Sequence, residues 1–191
     1  MTPFYIGAGI VICLSFYYWI EIKRFFDRKE TLPLRVSLGI LTVDTAHFVL
    51  VVLSSLYHSW LLPLDRMASL MAGSTMTAVG LTVMMAGMFE LRSMRRISVM
   101  EISMVITTGI YKWSRNPQYV GWFMCLLGIS LIGRSGLAFL FSAVLIIGIH
   151  LFVVLLEEPY LESVLEDEYR LYKSKTPRYI GIPRNKSSAN S

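Results

Sequence analysis

The sequence predicts an all-α, multi-pass transmembrane protein, and three observations carry that expectation. Hydrophobic residues make up 54% of the 191-residue chain and charged residues only 16%, where a soluble domain carries about 25% charged residues. The apolar residues fall into five runs long enough, or nearly so, to cross a bilayer. The segments between those runs alternate between many basic residues and one.

Taken in order, the first run is Phe4–Ile22. No basic region precedes it and no small-residue cleavage site follows, so it reads as a retained helix and not a signal peptide. The segment after it holds Lys23, Arg24, Arg28, Lys29 and Arg35. The second run, Val36–Tyr57, contains Asp44 and His47, three apart and therefore on one helical face. Ionisable groups inside a span are costly and turn to the protein interior. They either meet a polar headgroup or assist removal of a proton, or they bond to each other as a structural pair. The connection to the third run carries only Arg66.

The third run, Leu70–Phe89, repeats Gly73, Gly80 and Gly87 every seven residues, and the fourth repeats Gly121, Cys125 and Gly128. Such stripes let helix backbones approach closely in lipid. The methionines of the third run (Met71, Met76, Met84, Met85, Met88) either pack or line a lipid tunnel. A basic segment with Arg92, Arg95, Arg96, Lys112 and Arg115 comes next. The fourth run, Pro117–Ile132, reaches only about 24 Å at 1.5 Å per residue, against a hydrocarbon core of about 30 Å. It sits in a thinned bilayer, starts below the surface, or forms a re-entrant hairpin.

After a connection with Arg134 alone, the fifth run, Leu137–Leu156, pairs with the fourth as a hairpin. Its His150 reads as a satisfied core histidine. It is expected to end near Glu157, because the residue before Pro159 is steered away from helical backbone angles. Beyond it, Leu161, Leu165, Tyr169 and Tyr172 share one helical face and Glu162, Glu166, Arg170 and Lys173 the other. That pattern predicts an amphipathic interfacial helix. Asn185–Ser191 has a disordered composition. The expectation is one integral membrane domain over residues 1–184, five transmembrane helices, and a tail from 185 to 191. The alternation of basic residues places the N-terminus outside and the C-terminus in the cytoplasm. The membrane is the cell membrane in a prokaryote or the endoplasmic reticulum in a eukaryote.

Other classes recede. The net charge of +5 is explained by loops facing anionic lipid, so no nucleic-acid partner is expected. Cys13 and Cys125 lie in apolar runs without CxxC spacing and read as small buried hydrophobes; no metal site is expected. The C-terminus carries neither a CaaX box nor an ER-retention tetrapeptide. The oligomeric state is open.

Two polar knots interrupt the apolar sequence, and a hairpin brings them to one face. The first is Arg115-Asn116-Pro117-Gln118-Tyr119-Val120-Gly121. Asn116 and Pro117 suit the cap and first position of a helix. An Arg beside a helix N-terminus also suits a carboxylate or phosphate ligand. The second is Glu157-Glu158-Pro159. Two acids at a helix C-terminus oppose its dipole. They either pair with Arg115 or Arg178 at a solvated boundary or bind something cationic or rich in hydroxyls.

Together, Thr108-Gly109-Ile110-Tyr111, the Arg115–Gly121 knot, Leu156-Glu157-Glu158-Pro159-Tyr160-Leu161, and Tyr169 and Tyr172 followed by Thr176-Pro177-Arg178-Tyr179-Ile180 resemble the isoprenylcysteine carboxyl methyltransferase superfamily, which includes phospholipid N-methyltransferases. The resemblance covers residues 97–183. It implies an integral membrane methyltransferase that draws S-adenosylmethionine from the cytoplasm and a lipidic or prenylated acceptor from the membrane. Tyr111, Arg115, Asn116, Pro117, Tyr119 and Gly121 would form one wall of the cofactor pocket. Glu157 and Glu158 would form the other, with Tyr169, Tyr172 and Arg178 closing it.

The chemistry is consistent with that assignment. Carboxylates can balance the cofactor's sulfonium and ammonium, Arg115 or Arg178 its carboxylate, and Glu157 or Glu158 its ribose hydroxyls. A carboxylate acceptor needs no base, whereas an amine or thiol must lose a proton, which Glu158 or Asp44 can assist. The resemblance makes Glu158, Asn116 and Arg115 the candidate catalytic residues, and Asp44 and His47 are candidates for the acceptor. The prenylcysteine enzymes usually carry His where this chain has Asn116, whereas other branches, phospholipid N-methyltransferases among them, carry Asn-Pro. Two other readings compete. One is an NADPH-dependent sterol or steroid reductase, which shares a related motif around Arg-x-Pro-x-Tyr. The other is a membrane scaffold or small transporter.

Overall fold

The computed structural model describes residues 2–91 and 107–183. The beginning of the 97–183 half and the 185–191 tail lie outside the described residues. Helix α1 spans Thr2–Asp27, α2 Leu34–Leu56 and α3 Arg66–Leu91, followed by a 3₁₀ turn at Gly109–Lys112. Helix α4 spans Pro117–Ile132 and α5 Gly136–Phe152; a π turn at Val153–Glu157 leads into α6, Glu158–Lys175. Among the described residues the only extended pairing is an isolated bridge between Leu61 and Ser135. Four helical stretches are long and apolar enough to cross a membrane, the last containing α5 and running on into α6, and α4 is a shorter apolar helix.

Polar caps set several boundaries. Asp65 accepts a hydrogen bond from the Ala68 amide at 2.8 Å and starts α3; the Ser135 hydroxyl accepts from Ala138 at 3.1 Å and starts α5. Each occupies an N-terminal amide that the helix itself leaves unpaired. Helices α1 and α3 outrun their apolar segments by about a turn at one end, because polar and charged residues continue a helix once apolar neighbours have nucleated it, whereas α2 matches its segment to within two residues.

Helix α4 is the centre of the bundle, and only Ile132 along it is exposed. It lies against α3 on the glycine stripes. A Cβ on Gly80 would fall 2.7 Å from the Gly121 carbonyl oxygen, and one on Gly121 would fall 2.5 Å from that of Gly80. Both distances are below any real carbon contact, so the pair must be glycine for these backbones to meet. The stripes are packing surfaces, as their spacing predicts. At one end of the bundle, Leu62 donates to the Arg134 carbonyl at 2.8 Å and the Ser135 hydroxyl to that of Ser59 at 2.7 Å. The α4–α5 turn is thereby clasped to the α2–α3 connection, and α4 runs from one end of the bundle to the other.

At the opposite end, Ile22, Phe26, Leu32, Val36, Leu156 and Tyr160 form one apolar cluster, with Phe26 stacked on Tyr160 at 4.1 Å. A second cluster, Val51, Leu126, Leu137, Ala138 and Phe141, fills the clasped half.

Four sequence expectations need correction. The helical path does not stop before Pro159 but continues from α5 through the π turn into α6. Glu158 is helical (φ −62°, ψ −44°), and its amide donates to Val153, five residues back. Widening by one residue lets the chain pass a proline that has no amide to donate and a ring that would strike a carbonyl. Glu158 therefore lies inside a continuous helical stretch, at the junction of the π turn and α6, and not at a helix C-terminus. Helix α6 is kinked at Glu166 (φ 44°); Tyr169 and Tyr172 are buried, but Leu161 and Leu165 are only half-buried. Cys13 is exposed, whereas Cys125 is buried. His150 is exposed rather than in the core, and its Nδ1 meets the Tyr179 hydroxyl at 2.9 Å.

Candidate functional site

The two polar knots meet around Glu158, which is 3% exposed. Its two carboxylate oxygens accept parallel hydrogen bonds from Arg178 Nε at 2.8 Å and Nη2 at 2.9 Å. Arg115 Nη1 approaches Oε1 at 2.9 Å, and Lys173 Nζ lies 3.7 Å from Oε2. The Arg115 contact is one of charge only: Nη1 is close but misdirected, and both it and Nε lack a hydrogen-bond acceptor among the described residues. The side chain of Arg115 is 7% exposed, so two donors are buried without acceptors. Gln118 Nε2, one helical turn on, is a third. The hydrogen bond to Glu158 raises the pKa of Arg178, so this pair holds its charges throughout the physiological range.

The C-terminal segment straps this cluster to α4. The Arg115 amide donates to the Pro177 carbonyl at 2.9 Å, and Asn116 Nδ2 donates to that of Arg178 at 3.1 Å. Asn116 thus occupies the cap position without capping: its side chain makes no bond to the helix start. A partner 62 residues away has displaced the local one. Pro117 is buried at the first position of α4, and Gly121 is the α3 contact. The Tyr172 hydroxyl donates to the Tyr111 carbonyl at 2.8 Å, and the Tyr111 hydroxyl reaches the Gly87 carbonyl at 3.4 Å. Burial, then the charges of Glu90 and Glu157, push the Tyr111 phenol up, so it stays a neutral donor. Tyr169 is buried beside Tyr172.

Glu157 faces away from this cation cluster. Its Oε2 accepts from the Tyr119 hydroxyl at 3.4 Å, and Tyr119 also lines a cavity of about 340 Å³. The cavity lies between α1, α2 and α5, walled by Tyr18, Trp19, Ile22, Ile40, Val43, Leu145, Ile149 and Phe152, with Asp44, His47 and Ser37 on the α2 side. Asp44 and His47 therefore share the cavity wall as their spacing predicts, but they do not pair. His47 Nε2 meets the Phe141 carbonyl at 2.8 Å. Helix α3 contributes no wall residue, so its methionines line no tunnel here.

Sequence reasoning missed four participants. Lys173 was assigned to the outer face of α6, yet it bridges Glu158 and Glu162. Tyr179 packs against Phe123 and bonds His150. Ser114 receives the Asn116 amide. Glu90 accepts from the Ile110 amide at 3.1 Å, and its carboxylate fills the space that a Cβ on Gly109 would take. Gly109 has φ 49°, which suits glycine on both counts. Glu90 carried a signal of the same kind as Glu157: an acid at the last turn of an oily helix.

Comparison with known proteins identifies the family. The phospholipid methyltransferase family matches residues 67–168, more than half of the chain. Two protein-S-isoprenylcysteine O-methyltransferases are similar. The one from Schizosaccharomyces pombe is 40% identical over 81 residues, covering 42% of this chain and 33% of its own. The one from Saccharomyces cerevisiae is 32% identical over 79 residues, covering 41% and 32%. The chain thus spans about a third of the length of these relatives. No solved structure matches. The matched region runs from α3 through most of α6 and contains both polar knots, and on that match the chain belongs to the phospholipid methyltransferase family.

Proposed function

We propose that the protein is an integral membrane methyltransferase. It takes S-adenosylmethionine at the Arg115–Glu158 cluster and a lipidic acceptor in the α1–α2–α5 cavity. Five helices span the membrane in this reading, α6 lies at the interface, and the cluster faces the cytoplasm. One observation carries it: Tyr119 belongs to both places, its ring lining the apolar cavity and its hydroxyl bonded to Glu157 beside the charged cluster. A methyl transfer needs such a junction, because a water-soluble donor and a membrane-soluble acceptor must meet in line.

The buried donors fit the cofactor. Arg115 Nε and Gln118 Nε2 lack acceptors among the described residues, and a carboxylate at the start of α4 would supply them. S-adenosylmethionine supplies a methyl group already activated by a positive sulfur. Glu157 would meet the cofactor through the carboxyl that Tyr119 holds. Glu158 holds Arg115 and Arg178 in place; three cations around it make it a poor base, so its role is positioning. Tyr111, Tyr169 and Tyr172 close the wall, and Asn116 ties the strap to α4. The chain's own contribution is alignment and exclusion of water. The family match favours this reading over a reductase or a scaffold, and the relatives' names leave an isoprenylcysteine carboxylate or a phospholipid amine as acceptor classes.

Calorimetry in detergent decides the matter. S-adenosylmethionine is expected to bind, and Arg115→Ala to weaken it at least tenfold while the protein remains helical and monodisperse. Folded protein that ignores S-adenosylmethionine but is stabilised by NADPH would overturn the proposal in favour of the reductase.

A further inference from the structure

The cavity can be read for the chemistry of its occupant, an inference that rests on the methyltransferase reading for its context but not for its measurement. Most of the walls are apolar and come from α1 and α2, which precede the region matched by the family, together with α5. A volume of about 340 Å³ is near the lower bound of ligand pockets, roughly 300–1,000 Å³. One alkyl or isoprenoid chain fits such a space.

The polar groups on the wall select the head. Among the described residues Asp44 has neither a hydrogen-bond nor an ion-pair partner, and its neighbour His47 is committed to the Phe141 carbonyl. Ser37, two helical turns before Asp44, has a buried hydroxyl that also lacks a partner. Among the described residues no Lys or Arg lines the cavity. The nearby cations Arg115, Lys173 and Arg178 are drawn to Glu158 on the far side of the Tyr119–Glu157 contact. A carboxylate head would therefore meet an acid with no cation between them, and like charges facing each other in a dry site are strongly unfavourable. An ammonium head would supply the partner that Asp44 lacks, and Ser37 can accept or donate along the same stripe.

We propose that this cavity binds a single-chain amphiphile with a protonatable amine head, held by Asp44, in preference to a lipid carboxylate.

The test uses the full chain in phosphatidylcholine nanodiscs and a long-chain alkylamine bearing a diazirine. Dodecylamine, dodecanoate and dodecanol compete for photolabelling. Dodecylamine is expected to compete at least tenfold better than dodecanoate, with the label on α1, α2 or α5. Asp44→Asn should erase the preference for amine over alcohol, and Asp44→Glu should retain it. Gly148 lines the cavity, and a Cβ there meets nothing within 4 Å. Gly148→Phe should fill the space and abolish labelling. Dodecanoate competing as well as dodecylamine overturns the proposal, as does labelling that survives Gly148→Phe. Should Asp44→Asn fail to fold, the wild-type comparison and Gly148→Phe still decide. Calorimetry with S-adenosylmethionine on the same preparation separates the two readings. Amine preference without cofactor binding defeats only the methyltransferase reading, and cofactor binding with carboxylate preference defeats only this one.

Discussion

Glu158 and its three cations set the stakes at the level of single residues. Breaking a buried ion pair from one side leaves an unpaired charge, at a cost of about 3–5 kcal/mol. Arg115 is the buried partner and Arg178 the half-exposed one, with side-chain exposures of 7% and 31%. Glu158→Ala is therefore expected to destabilise by about 3 kcal/mol, read by unfolding in mixed micelles. Glu158→Ala combined with Arg115→Ala should cost clearly less than the sum of the two; strict additivity would mean that Arg115 answers to some other group. Tyr119→Phe makes a contrasting case. It removes one hydroxyl at a long 3.4 Å contact, so stability should fall by less than about 1 kcal/mol. Acceptor turnover is expected to drop about tenfold, equivalent to about 1.4 kcal/mol in the barrier, with cofactor affinity unchanged. Equal losses in both would place Tyr119 in the cofactor wall alone. The sequence exposed Arg115, Glu158 and Arg178 readily, because charge stands out in oily surroundings. It misled on Asn116, whose local signal was a cap and whose actual partner, the Arg178 carbonyl, is 62 residues away.

The same contrast between local and distant causes governs the helices. The glycine stripes were legible because close approach needs a small residue at every contact, and the period shows. Gly80→Ala puts a carbon 2.7 Å from a backbone oxygen that cannot move aside, and overpacking of this kind costs about 1–3 kcal/mol. Gly9→Ala, on α1 with nothing within 4 Å, should change stability by no more than about 0.5 kcal/mol. If both variants unfold alike, the α3–α4 contact is not the seam the structure makes it. The π turn was not legible. The rule that chains avoid helical angles before proline concerns a dipeptide, whereas at Glu158 the helix is held by packing on both sides, through Leu156 and Tyr160 against α1. Tertiary contacts chose continuity, and the helix met the proline by widening.

At the scale of the whole molecule, the cavity was invisible in advance, because it arises where α1, α2 and α5 diverge and no single segment encodes it. The two faces of the bundle, by contrast, follow from where the basic residues fall. Lys29 Nζ donates to the Ser163 carbonyl at 3.0 Å, and Tyr160 reaches the Glu30 carbonyl at 3.5 Å. The α1–α2 loop, α6 and the Arg115 cluster therefore share one end, whereas Leu64 and Arg134 share the other. If basic loops stay in the cytoplasm, the first end is cytoplasmic. With Cys13 and Cys125 replaced by Ser, a single cysteine at Glu30 or Lys175 should resist a membrane-impermeant maleimide in intact cells and react after permeabilisation. A cysteine at Leu64 should react in both. The reverse pattern would put the Arg115–Glu158 cluster outside the cell or in the lumen, cut it off from the cytoplasmic cofactor, and remove the physical basis for a donor and an acceptor meeting at Tyr119.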